Sequence, residues 1–509
     1  MKKLLKAISL LLGIVFLFGM FASCKTVDPS QDEGSDAISG TVEVYYWKSG
    51  VQITFLEKLK EAFESEHEDI TIDLSGASAD ANVFFNTIDQ GASINTIDLY
   101  IGTMGAFWNR TEYLEPLDDI LDYTVEGESK PIGEKISTVS YKSDDNRTYA
   151  LPWQESVTGL VYNKEMFAAN GWDVPRTTNE LIDLAEEIRQ AQLKNDGDTV
   201  TPFIHFANGY WKYLIEPWWA QYEGVEQYNN FWAAKYVAED GTVEQPSNLV
   251  WKQQGRLEAL KVLEALLSPD GSVYPESNSM GNTDAQAFFT NGKAAMMANG
   301  AWLETETKKE LPEFEIMRTP VISSLGTKLG ISEEQLCAAI DYVDGVTQTK
   351  PAGVSDDAIE QVRLARSITF TEAGNFHVVV PKYSDVKGAT KEFLKFMYSD
   401  EGIRIMAENI ESMSAAKLST GEDVDISAWS EFAQNNYDLQ KQATFIYKRM
   451  NYALFYMTDL EEAWATQPAS VFSNSNPSSR MSAEELFNML YNNMTGSRWQ
   501  KYLIQAGLD

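Results

Sequence analysis

The sequence predicts an α/β protein with a parallel sheet, and three observations near its start carry the prediction. Residues 42–47 alternate in polarity and are rich in β-formers, which is typical of a strand. A segment of helical periodicity follows, with one apolar face made of Phe55, Leu56, Leu59, Ala62 and Phe63. Residues 70–74 and 96–101 then predict two further strands. Strand, helix and strand in short order favour a parallel sheet covered by helices.

Helices are predicted further along the chain from apolar spacing and capping residues. Residues 179–192 place apolar side chains on one face, and Thr177 with Glu180 three residues later forms a predicted capping box. Residues 390–397 and 483–491 are also amphipathic, and Ser482 with Glu485 caps the second. No period of twenty to fifty residues repeats, which excludes solenoids and propellers.

Residues 320–370 differ in composition from their surroundings. Residues 333–343 and 357–367 predict two helices joined by the loop 344–353, so we expect an inserted helical hairpin. Such an insertion serves either as packing decoration or as a lid over a site, and the sequence leaves both interpretations open.

The first 23 residues have the pattern of a secretory signal peptide. Three lysines are followed by an almost wholly apolar run over 8–21 and then by small residues up to Cys24. This ending resembles the lipobox of bacterial lipoproteins, which implies a lipid on Cys24 and anchoring to the membrane. The alternative is ordinary cleavage that leaves Cys24 free. Residues 24–39 are polar and acidic, so we expect a disordered tether.

The charge and the cysteine content exclude several classes of partner. The formal net charge is −34, and removing the three lysines of the signal segment makes it −37. A protein this acidic repels other anions, which argues against nucleic acid and against anionic lipid surfaces as partners. Cys24 and Cys337 are the two cysteines, so a lipidated Cys24 leaves no intramolecular disulfide. Roughly 485 mature residues supply a large core and predict two or more domains.

Sequence motifs of enzyme chemistry are absent. His67, His205 and His377 are far apart and none lies in a zinc-binding context, so no metal site is predicted. The sequence has no nucleophile elbow, phosphate-binding loop or dinucleotide fingerprint, and we predict neither catalytic residues nor a cofactor. Cys337 lies in a predicted helix and is interpreted as a small core residue. A glycosidase carboxylate pair has no positive support among 75 acidic residues.

Clustered aromatic residues are the most informative feature of the composition. The chain has 13 Trp and 23 Tyr, grouped at 45–47, 107–108, 210–213 and 218–219. Sugar rings present apolar C–H faces bordered by hydroxyls, so their sites combine flat aromatic platforms with acids and amides. The alternative interpretation of each aromatic residue is that it belongs to the core.

Three segments in order resemble family 1 extracellular solute-binding proteins. They are RTYALPWQESVTGLVYNKEMF at 147–167 with the helix start after it, FFTNGKAAMMANGAWL at 288–303, and FHVVVPKYS at 376–384 with its helix. The resemblance implies a type II periplasmic-binding-protein fold of two α/β lobes, discontinuous in sequence and joined by hinge crossings. On this basis the N-terminal lobe is 40–153 plus 317–408, including the helical insertion, and the C-terminal lobe is 154–316 plus 409–509.

The resemblance also implies a function. Members of the family capture mostly sugars and oligosaccharides outside the cytoplasm and deliver them to ABC importers. It therefore implies a carbohydrate ligand, permease subunits as partners, and a monomer held at the membrane by its lipid. Two rival functions stay open: a surface carbohydrate-active enzyme of glycosidase or lyase type, and a sugar-sensing or adhesive lipoprotein.

Binding residues are carried over by their position in these motifs. Trp302 matches the aromatic residue that stacks on sugar in the family, and Gly300 before it permits close backbone approach. The other expected contacts follow strand ends, the second aromatic cluster or the first crossing, and they are Trp47, Lys48, Met104, Trp153, Gln154, Glu155, Tyr210 and Trp211.

Overall fold

The structure is a computed structural model. It describes residues 33–48, 53–78, 80, 83–102, 107–136, 143, 145–207, 209–238, 240–307, 313–371, 376–410, 414–447 and 467–505. The predictions for the signal segment, for Cys24 and for Met104 lie outside the described residues. Within the described ranges, no helix combines the length and the apolarity that a membrane crossing requires.

The strands that build the sheets are short and come from the whole length of the chain. They are β1 Gly40–Tyr46, β2 Ile70–Asp73, β3 Leu99–Ile101, β4 Leu151–Pro152, β5 Thr158–Asn163, β6 Thr201–Ile204, β7 Ala294–Gly300, β8 Phe314–Met317, β9 Ile368–Phe370, β10 His377–Val379 and β11 Thr444–Ile446. Two-residue antiparallel pairs also occur at 194–199 and 236–244.

Helices cover both sheets. They are α1 Thr54–Glu66, α2 Val83–Thr87, α3 Asp118–Leu121, α4 Ile132–Lys135, α5 Lys164–Asn170, α6 Thr178–Ala191, α7 Lys212–Glu223, α8 Val225–Trp232, α9 Gln254–Leu267, α10 Asn282–Thr290, α11 Leu303–Thr307, α12 Ser324–Leu329, α13 Glu333–Val343, α14 Asp356–Ser367, α15 Lys387–Met397, α16 Asp400–Ile410, α17 Glu431–Lys441, α18 Gln467–Phe472, α19 Ala483–Asn493 and α20 Gly496–Gln505.

The first lobe is built on a five-stranded sheet in the order β2-β1-β3-β10-β4. β1 pairs in parallel with β2 and β3, as the sequence predicts, whereas β10 runs antiparallel to β3 and β4. α1 packs its apolar face, including Phe55 and Phe63, into the core beneath this sheet. The predicted strand–helix–strand unit is therefore confirmed.

The second lobe has a four-stranded sheet in the order β8-β5-β7-β6. β7 runs antiparallel to β5 and parallel to β6, and β5 is buried along its whole length. A strand that is covered on both faces reads as a continuous apolar run rather than as an alternation. α6, α7 and α9 contribute the helical side of the largest core. The molecule thus has the two-lobe α/β fold that the sequence predicts.

The chain crosses between the sheets at more than one point. Residues 153–157 connect β4 to β5, and the stretch after β9 leads to β10. β9 pairs in parallel with β11 beside these connections. The segment after α16 crosses again before α17, which contacts β8. Each lobe is therefore discontinuous in sequence.

The predicted hairpin of residues 320–370 is present as two helices, and they pack on the core of the second lobe, whereas the sequence analysis assigns them to the first. α13 and α14 pack on each other, and their buried Leu336 and Val362 belong to the core of the second lobe. The indole Nε1 of Trp218 in α7 donates to the carbonyl of Pro320 at 3.2 Å. The hairpin thus packs against α7.

Residues 414–419 also lie in the lobe opposite to the predicted one. Ala416 and Leu418 are buried in the core of the first lobe. The backbone N–H of Ala415 donates to the carbonyl of Trp153 at 3.2 Å, and that of Lys417 to the carbonyl of Lys135 at 2.9 Å. The first lobe consequently extends past residue 408.

Residues 33–39, which the sequence analysis assigns to the tether, lie against the first lobe. From residue 33 onward the polar segment is hydrogen-bonded to the first lobe: Gly34 N–H donates to the Lys382 carbonyl at 2.7 Å, and Ala389 N–H to the Ala37 carbonyl at 2.8 Å. Backbone pairing of this kind needs no apolar side chains, which is why composition alone predicts disorder here.

Candidate functional site

Three aromatic rings meet at one edge of the second sheet. The rings of Tyr210 and Tyr213 are stacked, with centroids 4.8 Å apart. The indole of Trp302 meets both rings edge-on, at 5.8 Å from Tyr210 and 5.9 Å from Tyr213. Tyr210 and Trp302 are half-buried, whereas Tyr213 is buried. We call these three residues the aromatic cluster.

The parallel pairing of β6 and β7 brings the aromatic cluster together. Ala294 of β7 lies opposite Thr201 of β6, so the carboxyl ends of both strands point to the same edge. Trp302 follows the end of β7, and Tyr210 follows the end of β6 by six residues. In open α/β sheets this edge is where ligands bind.

Gly300 allows the indole of Trp302 to lie over the backbone. A Cβ at this position would overlap Cη2 and Cζ3 of that indole. The backbone N–H of Gly300 is held by a 2.8 Å hydrogen bond to the side-chain oxygen of buried Asn299. The role that the sequence suggests for Gly300 as a point of close approach therefore has a specific partner, which is Trp302 itself.

Trp211 was expected beside Tyr210, but it lies in the core. Its side chain is fully buried, and its Nε1–H donates to Nδ1 of His205 at 3.2 Å. Residues three apart share a helix face whereas adjacent residues do not, so Tyr213 joins Tyr210 and Trp211 points away. Tyr213 is the cluster residue that the sequence analysis missed, and this spacing is the signal that could have found it.

Trp153, Gln154 and Glu155 are buried in the first crossing rather than presented to solvent. Trp153 stacks on Phe55 with centroids 5.1 Å apart and an angle of 5° between the rings. Gln154 forms a bridge to Ser414 in another crossing segment. Glu155 is 1% exposed and accepts a 2.9 Å hydrogen bond from Thr371 Oγ1. These positions join the lobes, and their contact with a sugar stays a prediction.

Trp47 and Lys48 lie at the carboxyl edge of the first sheet. The N–H of Trp47 donates to the carbonyl of Ile101 at 3.0 Å, which extends the β1–β3 pairing. Its indole is half-buried among aromatic residues of the first lobe, and Lys48 is exposed. Both side chains are thus at the edge that the sequence analysis assigns to them, whereas their contact with a ligand stays a prediction.

Acidic side chains follow Trp302 on α11. Glu304 accepts a 2.7 Å hydrogen bond from Ser430 Oγ, and Glu306 one of 2.6 Å from Gln286 Nε2. Burial raises the pKa of Glu306. Among the residues that the structure describes, no group of three His, Cys, Asp or Glu side chains is arranged to hold a metal ion. The aromatic cluster and its neighbours offer ring faces and polar groups, which suit a ligand with C–H faces and hydroxyls.

Comparison with known proteins assigns the family. The model of the bacterial extracellular solute-binding protein family matches residues 48–403, which is most of the chain. The chain belongs to this family. Membership implies an extracytoplasmic location, and the two lobes of this solute-binding protein are those of the family fold.

Relatives and solved structures agree with this assignment. The solute-binding protein is 24% identical to the multiple sugar-binding protein of Streptococcus mutans over 314 residues, which cover 60% of this chain and 67% of that relative. It resembles the solute-binding protein RafE in complex with raffinose, with a TM-score of 0.57 at 16% identity, covering 90% of this chain and 100% of the other. The GacH receptor of Streptomyces glaucescens, solved with acarbose, gives 0.58 at 18%, covering 92% and 99%.

Proposed function

We propose that this protein captures a carbohydrate, a mono- or oligosaccharide, between its two lobes and presents it to an ABC importer. The observation that carries the proposal is the aromatic cluster of Tyr210, Tyr213 and Trp302 at the carboxyl edge of the second sheet. Its two half-buried rings supply flat faces for sugar C–H groups, and the buried third ring fixes them in position.

The relatives support a carbohydrate as the ligand. The Streptococcus mutans relative is named for binding multiple sugars, and the similar structures hold raffinose and acarbose. Those ligands are carbohydrates of several linked rings, and we infer that this chain takes a mono- or oligosaccharide. Trp47 and Lys48 are the proposed contacts from the first lobe, because they lie at the corresponding edge of its sheet.

The proposed route of delivery follows from the family. Lobes joined by crossing segments close around a ligand by hinge motion, and a transporter then distinguishes the closed form from the open one. We propose that a lipid on Cys24 holds the protein at the membrane beside the permease subunits. Cys24→Ser is expected to release the protein from the membrane fraction, and unchanged fractionation of that variant contradicts lipidation.

A ligand screen tests the binding function. We expect at least one of raffinose, acarbose, maltotriose and diacetylchitobiose to raise the melting temperature, because a ligand at 100 times its Kd adds about 2.7 kcal/mol to the free energy of unfolding. The bound sugar is then recovered and analysed by chromatography. Intact sugar supports capture, whereas shortened or eliminated products support the rival glycosidase or lyase. A sugar that binds but is not taken up by cells carrying the transporter supports the sensing or adhesive alternative.

A further inference from the structure

A second cavity lies in the second lobe, away from the aromatic cluster. It has a volume of about 500 Å³ and is bounded by the end of α6, the segment before β6, the loop after α9 and the segment 473–480. We call it the outer pocket. None of its lining residues belongs to the aromatic cluster. Its volume is that of ordinary small-molecule sites.

The pairing of β6 with β7 shows where the outer pocket lies relative to the aromatic cluster. Thr201, which lines the outer pocket, pairs with Ala294 at the start of β7, whereas Trp302 follows the end of that strand. The seven residues of β7 therefore separate Thr201 from the level of Trp302, which is roughly 20 Å at the rise of a strand. Tyr274 lies nearer to the carboxyl edge, because its N–H donates to the carbonyl of Phe203 in β6.

Four of the charged groups that line the outer pocket form ion pairs, and they are Arg189, Asp198, Asp270 and Arg480. Arg480 Nη2 donates to Asp270 at 2.9 Å, and its Nε donates to the carbonyl of Asn474 at 2.8 Å. Asp198 pairs with Lys293 at 2.9 Å, and Arg189 with Glu186 at 2.5 Å. A pocket whose charges compensate one another in this way selects neither a strong anion nor a strong cation. It favours a neutral polar ligand.

The remaining lining groups are those that a sugar needs. Tyr274 is half-buried and its ring is supported by Phe288, with centroids 5.2 Å apart. Apolar surface from Val273 and Pro275 adjoins it, and the exposed carboxylate of Glu276 stands at the rim. Aromatic and apolar faces together with carboxylate acceptors match the C–H faces and hydroxyls of a saccharide.

One residue in the wall of the outer pocket, Asn278, is held in position by hydrogen bonds to other side chains. Asn278 Oδ1 is 3.0 Å from His205 Nε2, and Asn278 Nδ2 donates to Ser473 Oγ at 3.0 Å. Because Trp211 Nε1–H donates to Nδ1 of His205, the ring proton is on Nε2 and points to Asn278. The amide therefore has one orientation before any ligand arrives, which is a property of preorganised sites.

We propose that the outer pocket binds a neutral saccharide as a second site, separate from the aromatic cluster. The proposal does not need the aromatic cluster to bind sugar, because the two places share no lining residue. An oligosaccharide held here would let one end of a longer chain stay attached while another part is captured.

Titration calorimetry of the full-length protein in mild detergent tests the proposal, with raffinose, maltotriose, xylotriose and diacetylchitobiose as probes. We expect Trp302→Ala to leave one equivalent of saccharide bound, and Tyr274→Ala to weaken that equivalent about tenfold, the typical loss for a ring contact. Glu276→Gln, an exposed and conservative change, is expected to weaken the same equivalent without altering the melting temperature.

Three results would overturn the proposal. One is that no probe binds to Trp302→Ala. Another is that binding to Trp302→Ala is unchanged by both Tyr274→Ala and Glu276→Gln. The third is that inorganic phosphate or spermidine, rather than any sugar, binds in a manner sensitive to Tyr274. If the unaltered protein binds no equivalent that depends on Trp302, while the outer one is retained, this would count against the proposed function and not against this site.

Discussion

The hydroxyl of Thr371 donates a 2.9 Å hydrogen bond to the carboxylate of Glu155, and both residues are 1% exposed. Glu155 lies in the crossing after β4, and Thr371 begins the crossing after β9. The N–H of Thr371 also donates to the carbonyl of Ile446 at 3.0 Å. This pair therefore joins connections that any relative movement of the lobes has to bend.

Thr371→Val removes the donor but keeps the shape. We expect the free energy of unfolding to fall by about 1–3 kcal/mol, because a buried carboxylate loses a hydrogen bond. Urea denaturation measures the loss. Thr420→Val is the control, since Thr420 and its partner Glu422 are exposed, and it should change stability by less than about 0.5 kcal/mol. Equal effects of the two substitutions would show that the buried pair has no special role.

Trp302→Ala and Trp211→Ala should have opposite effects. Truncation of the half-buried Trp302 is expected to cost about 2 kcal/mol of sugar binding, which is roughly a 30-fold loss of affinity, with near-normal melting. Truncation of the fully buried Trp211 is expected to cost ~3–5 kcal/mol of folding stability. Calorimetric titration and melting curves of both variants separate the two cases. A collapsed melting temperature for Trp302→Ala would make it a packing residue.

Gly300→Ala should act on binding through Trp302. The added methyl group would overlap the indole, so the ring has to leave its present position beside Tyr210 and Tyr213. We expect an affinity loss approaching that of Trp302→Ala, measured by titration with the sugar that the screen identifies. In Gly281→Ala the nearest atom is 3.7 Å from the new Cβ, so affinity should be unchanged. Full affinity of Gly300→Ala would mean that the indole does not need its present position.

An acid-sensitive contribution to stability is expected from Asp400. Burial alone would raise its pKa, but hydrogen bonds from Lys135 at 2.9 Å and from Ser419 outweigh burial, so the pKa lies below its ordinary value of 3.8. A carboxyl group with a lowered pKa in the folded state stabilises the protein above the unfolded value, and the contribution is lost as pH falls through the folded value.

Asp400→Asn tests this contribution. We expect it to cost about 2 kcal/mol at pH 7 and progressively less below pH 3.8, so the acid limb of the stability curve becomes shallower. Denaturation at a series of pH values provides the measurement. Asp270→Asn is the control, because Asp270 is 82% exposed and its ion pair with Arg480 contributes little. Identical pH profiles for Asp400→Asn and the unaltered protein would contradict the prediction.

Local signals in the sequence predicted the elements well. The capping box of Ser482 and Glu485 is present in full at the start of α19, and α13 has the predicted bounds. At α6 the prediction was half right: Thr177 accepts from the N–H of Glu180, but the Glu180 carboxylate accepts from the N–H of Arg176. The Glu180 carboxylate therefore binds Arg176, which precedes the cap, instead of the backbone N–H of Thr177.

Long-range packing is what the sequence could not predict. Trp153 stacks on Phe55, almost a hundred residues earlier, and the lobe of the hairpin is decided by its contact with α7. Neither partner is visible in a local pattern. The aromatic cluster was predicted at Tyr210 and Trp302, whereas the choice between Trp211 and Tyr213 depends on where the first turn of α7 begins.

Tyr213 contacts more than the other two rings of the aromatic cluster. Its other side meets the ring of Phe370 with centroids 5.7 Å apart, and Phe370 is the last residue of β9, next to Thr371. Under the proposed function, a displacement of Tyr213 by a bound sugar would be passed through Phe370 to the strand from which a crossing starts. Substitutions at residue 370 would then change the affinity for the sugar without altering the rings of Tyr210 and Trp302.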